Sequence, residues 1–437
     1  VCGLPTVGSK LSRSTSPSRL DEHMGGTAFS IISFSSIVLQ VLALPQKNIA
    51  VLVSGDGRRS RLVDSIGGSN ALATIMTELL AETELLPLPV ICSKLSLNDK
   101  GCLRVEAYLG KTLVNLTKPL HLKHRVNSKT FQHGWGDVTT KNAVQNSHVV
   151  DTPSAVNPAV KEFAKAFSYI PDEFGDTLPF IMTARDESYG TSFRYPTFVR
   201  PAPVPDPSGN HVIVRINRQH YEGQLLKVRS LDIPFEEKLD SLVWRGSTTG
   251  ALTKSPCTGL WPNRSRMLLV HKYFNSSDSR IDIKFGGDLI TDVVPKSWVE
   301  HPMDISRLLK HKFIMLVDGN SEASAMEWVM ASNSVPVMAA PIVQTWGLHS
   351  WLQPWKHYIP VEADFSDLPA KLDWARSNPV QVEQISKDGK LFMHEFQDMK
   401  REHRISAAVL AAYFNRFKIE DSTEEPALFD TTERSSC

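Results

Sequence analysis

No part of this chain constrains its fold more than residues 311–338, HKFIMLVDGNSEASAMEWVMASNSVPVM. Phe313 to Val317 form an apolar run of strand length, of the kind a buried parallel strand uses. Asp318-Gly319-Asn320 breaks it. Met326, Val329 and Met330 then recur at helical spacing, and Ser324 with Glu327 has the S-x-x-E spacing of a capping box, which starts the expected helix at Ser324. Val335 to Met338 read as the next strand. The whole is a β-α-β unit, and its strand-to-helix turn is where open α/β sheets bind ligands. A helix start favours a phosphate there, and the small residues at 319, 321, 323, 324 and 325 let a ligand come close to the backbone. The same residues would also serve as a plain structural turn before a capped helix.

The unit does not stand alone. From residue 241 onward strands and helices alternate: a strand over 241–245, a helix over 264–274, a strand over 281–285, a helix over 304–310, the 311–338 unit, a strand over 357–361 and helices from 366 on. Such alternation predicts an α/β fold with a parallel sheet covered on both faces. Nearer the N-terminus, 48–54 reads as a strand and 69–86 as a helix, a second strand-turn-helix without a G-x-G-x-x-G fingerprint. Residues 120–155 read as loops, 156–169 as a helix, 180–182 as a short strand and 211–216 as a strand. Pro and Gly thicken between 196 and 210, which sets the domain boundary between 217 and 240. The expected domains are 46–230, on the acceptor side, and 231–418, followed by a disordered acidic tail over 419–437.

The first 26 residues are rich in Ser, Arg and Pro and read as disordered. Residues 27–44 carry no charge, which suits either a signal anchor or a cleaved signal peptide, with a buried core helix as the alternative. Basic residues ahead of the segment would place the body of the protein on the luminal side, as a single-pass type II protein of the endoplasmic reticulum or Golgi. Asn115, Asn263 and Asn275 lie in N-x-S/T sequons. The five cysteines are too few for a disulfide-built scaffold and match no zinc spacing; Cys92 and Cys102 are close enough to bridge, though spacing alone does not pair them. The formal net charge of +1 argues against a general nucleic-acid binder.

Chemistry concentrates in a few places. In Val243-Trp244-Arg245-Gly246-Ser247-Thr248-Thr249-Gly250 an apolar strand ends in an Arg and a loop of hydroxyl and Gly residues, a set able to hold phosphate. Arg264 and Arg266, at the start of the next expected helix, could add charge to the same pocket or sit on a solvated helix face. Asp176, on a Gly-containing turn before the 180–182 strand, is a candidate general base, or an ordinary turn aspartate. No Asp-x-Asp occurs, so clustered carboxylates for a divalent cation are missing from the sequence, which points to a diphosphate neutralised by Arg and backbone groups with no metal cofactor. Eight of the nine tryptophans follow residue 243 and read mainly as core, with one or two able to line a sugar or base pocket.

The runs VWRGSTTG (243–250), NRSRMLLVHKYF (263–274), KFIMLVDGNSEAS (312–324), SNSVPVM (332–338) and LQPWKHYIPVEADFSDLPAKLDWA (352–375) resemble, in this order, the family 90 glycosyltransferases. That family includes the Rumi-type protein O-glucosyltransferases and the fungal capsule-associated xylosyltransferases. The resemblance covers about residues 170–415. It implies two Rossmann-like domains of GT-B type, with the C-terminal helices packing back, and inverting, metal-independent transfer of glucose or xylose from a UDP-sugar to a protein or glycan acceptor. It also implies donor contacts from Arg245, Gly246, Ser247, Arg266, Asp318, Asn320 and Ser324, and a catalytic role for Asp176. One departure is clear. Ala325, Met326 and Glu327 stand where Rumi-like and fungal members carry an Arg, which places the chain nearer the algal, plant and bacterial branch. A catalytically inactive, glycan- or nucleotide-sugar-binding relative is the competing expectation, and an unrelated Rossmann-type dehydrogenase or methyltransferase is a third.

Overall fold

The computed structural model describes residues 32–34, 37–43, 49–54, 69–124, 135–139, 171, 178–183, 192–215, 218–250, 261–287 and 294–422. The chain separates into two compact units, Val1–Ser69 and Asn70–Cys437. In the first, Ile32–Phe34, Ile37–Ala43 and Ile49–Ser54 form an antiparallel sheet in that order. This differs from the apolar helix expected over 27–44. The stretch is rich in Ile, Val and Ser, which favour extended backbone over helix. Among the described residues no helix is long and apolar enough to cross a membrane.

The second unit is built on a five-stranded parallel sheet. Its order is Ile281–Phe285, Leu239–Gly246, His311–Met315, Val335–Met338, Ile359–Pro360. Successive residues of its strands serve opposite faces. Val243 and Ile314 enter one apolar core, while Leu242, Trp244, Phe313 and Met315 enter another on the far side. Burial on both faces is why 242–244, 313–315 and 335–338 read as continuous apolar runs, whereas the edge strand Ile281–Phe285 alternates. The chain starts at the 239–246 strand, crosses to 281–285 on one side, then returns to 311–315 on the other side. The reversal leaves a crevice at the carboxyl ends of 239–246 and 311–315, the topological switch point of such a sheet.

A mixed four-stranded sheet, Trp135–Thr139, Pro179–Thr183, Thr197–Val199, His211–Ile213, lies earlier in the chain. Its Phe180, Phe198 and Val212 join the same core as Val243 and Ile314, so the boundary expected near 231 falls inside one compact unit. Helix Met399–Arg416 packs back onto helix Asp99–Val114. There the buried Glu402 carboxylate accepts from Arg104 Nη1 at 2.6 Å and pairs with Arg215 Nη1 at 2.7 Å. The C-terminal helices thus return to the N-terminal part of the unit, as the family resemblance implies.

Three local expectations need correction. Residues 417–421, placed partly in a disordered tail, form a strand parallel to Leu120–His124, itself placed in loops. Phe417 and Ile419 are buried, and the alternation of FKIED is that of a half-buried strand. The helix expected over 264–274 is Arg266–Tyr273, because Ser265 caps it by accepting from the Leu268 amide and Arg264 sits at a left-handed φ of 65°. Last, the helix after the 311–315 strand is only Met326–Met330, and its N-cap is Ala325 with no side-chain bond. Ser324 is exposed and Glu327 is buried, so the two do not form a capping box.

Candidate active site

Two loops leave the switch point of the parallel sheet. One follows Leu239–Gly246 and the other follows His311–Met315, and the two strands are neighbours. Of the residues expected to touch a donor, Arg245, Gly246 and Ser247 therefore lie beside Asp318 and Asn320 through the sheet alone. Ser324 lies farther along the second loop and is exposed. Asp176 and residues 251–260 lie outside the described residues.

The loops are tied to each other. Asn320 Oδ1 accepts from the Gly250 amide at 2.9 Å. Gly250 has a φ of 92°, and a Cβ there would lie 2.9 Å from the Gly319 carbonyl, so only glycine permits this approach. Asp318 Oδ1 accepts from the Ala323 amide at 3.2 Å and closes the second loop on itself. Burial, with the Glu322 carboxylate adding to it, pushes the Asp318 carboxyl up to about 6.

The two arginines differ from the simple picture of phosphate ligands. Arg245 Nη2 donates to both carboxylate oxygens of Asp282, at 2.8 and 2.9 Å, and Nη1 donates to the Trp244 and Asp282 carbonyls. Its guanidinium is thus held along the sheet by the adjacent 281–285 strand. Arg266 is enclosed between the two loops, and burial lowers its guanidinium to about 10, with Asp318 opposing the shift. Asp282 was signalled by no motif, because it acts through a partner 37 positions away, and Thr249, which lies in the hydroxyl-rich 243–250 stretch, accepts from Arg266 at 2.6 Å.

A shallow pocket opens beside the second loop, lined by Arg264, Val317, Asp318, Met338, Ala339 and Phe365. Arg264 donates to the carbonyl of Ala340, two residues past the 335–338 strand, at 2.5 Å. Behind the same loop lies a buried acid. Glu327 is 1% exposed, and neither of its oxygens has a hydrogen-bond partner among the described residues. His349 Nε2 stands 3.8 Å from Glu327 Oε1. Burial raises the Glu327 carboxyl well above its usual range, with Glu322 adding to it, and burial lowers His349. Among the described residues no group of three or more His, Cys, Asp or Glu could hold a metal ion.

Residues 210–429 match the model of Glycosyl transferase family 90. The chain belongs to this family. The matched region includes the whole five-stranded sheet and both loops of its switch point. The chain is similar to O-glucosyltransferase LpsA of Dichelobacter nodosus, 26% identical over 221 residues, which cover 50% of this chain and 62% of the relative. It is also similar to protein O-glucosyltransferase 3 of Homo sapiens, 31% identical over 97 residues, covering 22% of this chain and 18% of that protein. A third similarity is to the uncharacterized protein 179R of Invertebrate iridescent virus 6, 24% identical over 196 residues and covering 16% of it. The chain therefore spans less than two thirds of the length of each of these relatives.

Proposed function

We propose that this family 90 member is a glycosyltransferase that moves glucose or xylose from a UDP-sugar to a hydroxyl of a protein or glycan acceptor, with inversion and without a metal cofactor. The observation that carries the reading is the pairing of loops 246–250 and 317–323 at the switch point of the parallel sheet, within the family match. The diphosphate would lie over these loops, against Gly246, Ser247, Asn320 and Ser324. The pocket of Arg264, Asp318 and Phe365 would take the nucleoside end. Arg245 would reach the diphosphate by exchanging the Asp282 carboxylate for a phosphate, one bidentate partner for another. Donors aimed at the leaving diphosphate stabilise the charge that builds there in the transition state. Asp176 would take the proton from the acceptor hydroxyl as that oxygen attacks the anomeric carbon from the face opposite UDP.

A secretory compartment fits two observations. Cys92 and Cys102 form a disulfide, the kind of bond that persists in an oxidising environment. The sequon residues Asn115, Asn263 and Asn275 are all exposed. The occupied guanidinium of Arg245 also favours a second reading, a family member that binds nucleotide sugars without turning them over.

Hydrolysis of a panel of UDP- and GDP-sugars by the full chain, with EDTA present, separates the two. Turnover of one UDP-sugar, lost in Arg245→Ala and in Asp176→Asn, supports the transferase. UDP binding without turnover supports the binding module. No UDP binding at all defeats both.

A further inference from the structure

Arg266 is the one side chain among the described residues whose guanidinium bonds to both loops at the switch point. Its Nη1 donates to the Ser247 carbonyl at 3.1 Å and to Thr249 Oγ1 at 2.6 Å, both on the first loop. Its Nε donates to the Asp318 carbonyl at 3.2 Å and its Nη2 to the Val317 carbonyl at 3.2 Å, both on the second. These bonds occupy nearly all the N–H donors that a guanidinium carries. All of the acceptors are neutral, so the charge is set among dipoles with no carboxylate in hydrogen bond to it. The group also defines the space over it. A Cβ on Gly319 would lie 2.8 Å from Thr249 Oγ1 and 2.9 Å from Arg266 Nη2. Gly319 thus lies directly against the guanidinium, and Gly250 in turn approaches the Gly319 carbonyl.

We infer that Arg266 is a positioning residue: it clamps the 247–250 and 317–319 loops into one preformed cradle and makes no direct contact with the donor. The inference rests on the proposed donor site and refines it, since Arg266 was expected to be a phosphate ligand. A clamp of this kind sets the distance between the loops before any ligand arrives, so the cradle does not have to close around the donor. Lysine would keep the positive charge but offers a single nitrogen, which cannot reach four acceptors on two loops. Arg266→Lys is therefore the variant that separates a clamp from a phosphate ligand.

The test uses the full chain as wild type, Arg266→Lys, Arg266→Gln and Thr249→Val, with UDP and uridine as probes. Affinities come from calorimetry, and amide hydrogen exchange is followed without ligand. A clamp predicts that both Arg266 variants lose about ten-fold or more in affinity for UDP and for uridine alike, because the whole cradle is displaced. It also predicts that amides of both loops exchange faster together, while those of the 313–315 stretch stay protected. Thr249→Val removes one acceptor at nearly constant volume and should give a smaller, parallel loss for both probes, which also serves if the Arg266 variants do not fold. Retention of UDP affinity within about two-fold in Arg266→Lys overturns the inference, as does a loss of UDP affinity in Arg266→Gln that spares uridine. If the wild type binds neither probe, the proposed function fails and exchange alone decides the clamp: loosening of only one loop, or of neither, overturns it.

Discussion

Asn320 Oδ1 accepts the Gly250 amide hydrogen at 2.9 Å, joining two loops 70 positions apart in sequence. Gly250 needs its φ of 92°, and a side chain there would meet the Gly319 carbonyl. Gly250→Ala should cost about 1–3 kcal/mol from backbone strain alone and part the loops. We expect UDP affinity to fall more than thermal stability does. Calorimetric titration beside a thermal melt checks this, and equal UDP affinity in the variant would mean the loop contact is irrelevant to binding.

Arg245 and Asp282 offer a cleaner separation of structure from function. The pair is half-open to solvent on the Asp282 side, so its stability contribution is about 1 kcal/mol. Asp282→Asn releases the guanidinium without removing it. Under the proposed exchange of partners, Asp282→Asn should keep UDP affinity within about two-fold or improve it, whereas Arg245→Ala should lose about ten-fold or more. If the two variants lose UDP affinity equally, Arg245 serves the sheet and not the donor.

Asp318 gives donor binding a pH dependence. Its carboxyl is raised to about 6, so it ionises in the folded protein at a higher pH than in the unfolded chain. A raised carboxyl favours the folded state while protonated, and that contribution is lost as pH rises from about 4 through about 6. A diphosphate also prefers the neutral form, so UDP affinity should fall as pH rises through about 6. Asp318→Asn should flatten the Kd profile between about pH 5 and 7. The same slope in both proteins would assign the titration to another group.

Glu327 is a buried acid with no side-chain hydrogen-bond partner among the described residues, and His349 beside it is equally enclosed. Burial raises the Glu327 pKa, so the folded protein favours the protonated form, and the stability contributed in that form is lost as pH climbs through the raised value. Glu327→Met should therefore stabilise the protein by about 2 kcal/mol. The gain should widen as pH rises. Denaturant melts at neutral and alkaline pH test both parts, and a less stable variant would show that Glu327 is satisfied after all.

The Cys92–Cys102 bridge closes a loop of 10 residues between helices Leu88–Lys94 and Asp99–Val114. Cys92→Ser with Cys102→Ser should cost about 2–3 kcal/mol. Reductant should lower the melting temperature of the wild type but not of the double variant. A melting temperature insensitive to reductant would remove this support for a secretory location.

Much of the sheet was legible in the sequence because its signal is local. Strands 239–246, 281–285, 311–315 and 335–338 are short runs rich in apolar residues, and buried strands must be. Their alternation with helical segments fixes the parallel sheet, and hence that residues 245–250 and 318–320 emerge at the same end. The blocks around them also carried the family resemblance. Tertiary structure decided the rest. That Arg245 meets Asp282, that Arg266 bonds to both loops, and that Glu327 is buried near His349 and caps no helix all depend on partners many positions away. Likewise, 417–421 became a strand only because Leu120–His124 lies alongside it. Periodicity is written into neighbouring residues and survives in the bare sequence. The direction of a long charged side chain is set by which distant acceptors the folded backbone brings within hydrogen-bond reach, and only the tertiary structure holds that information.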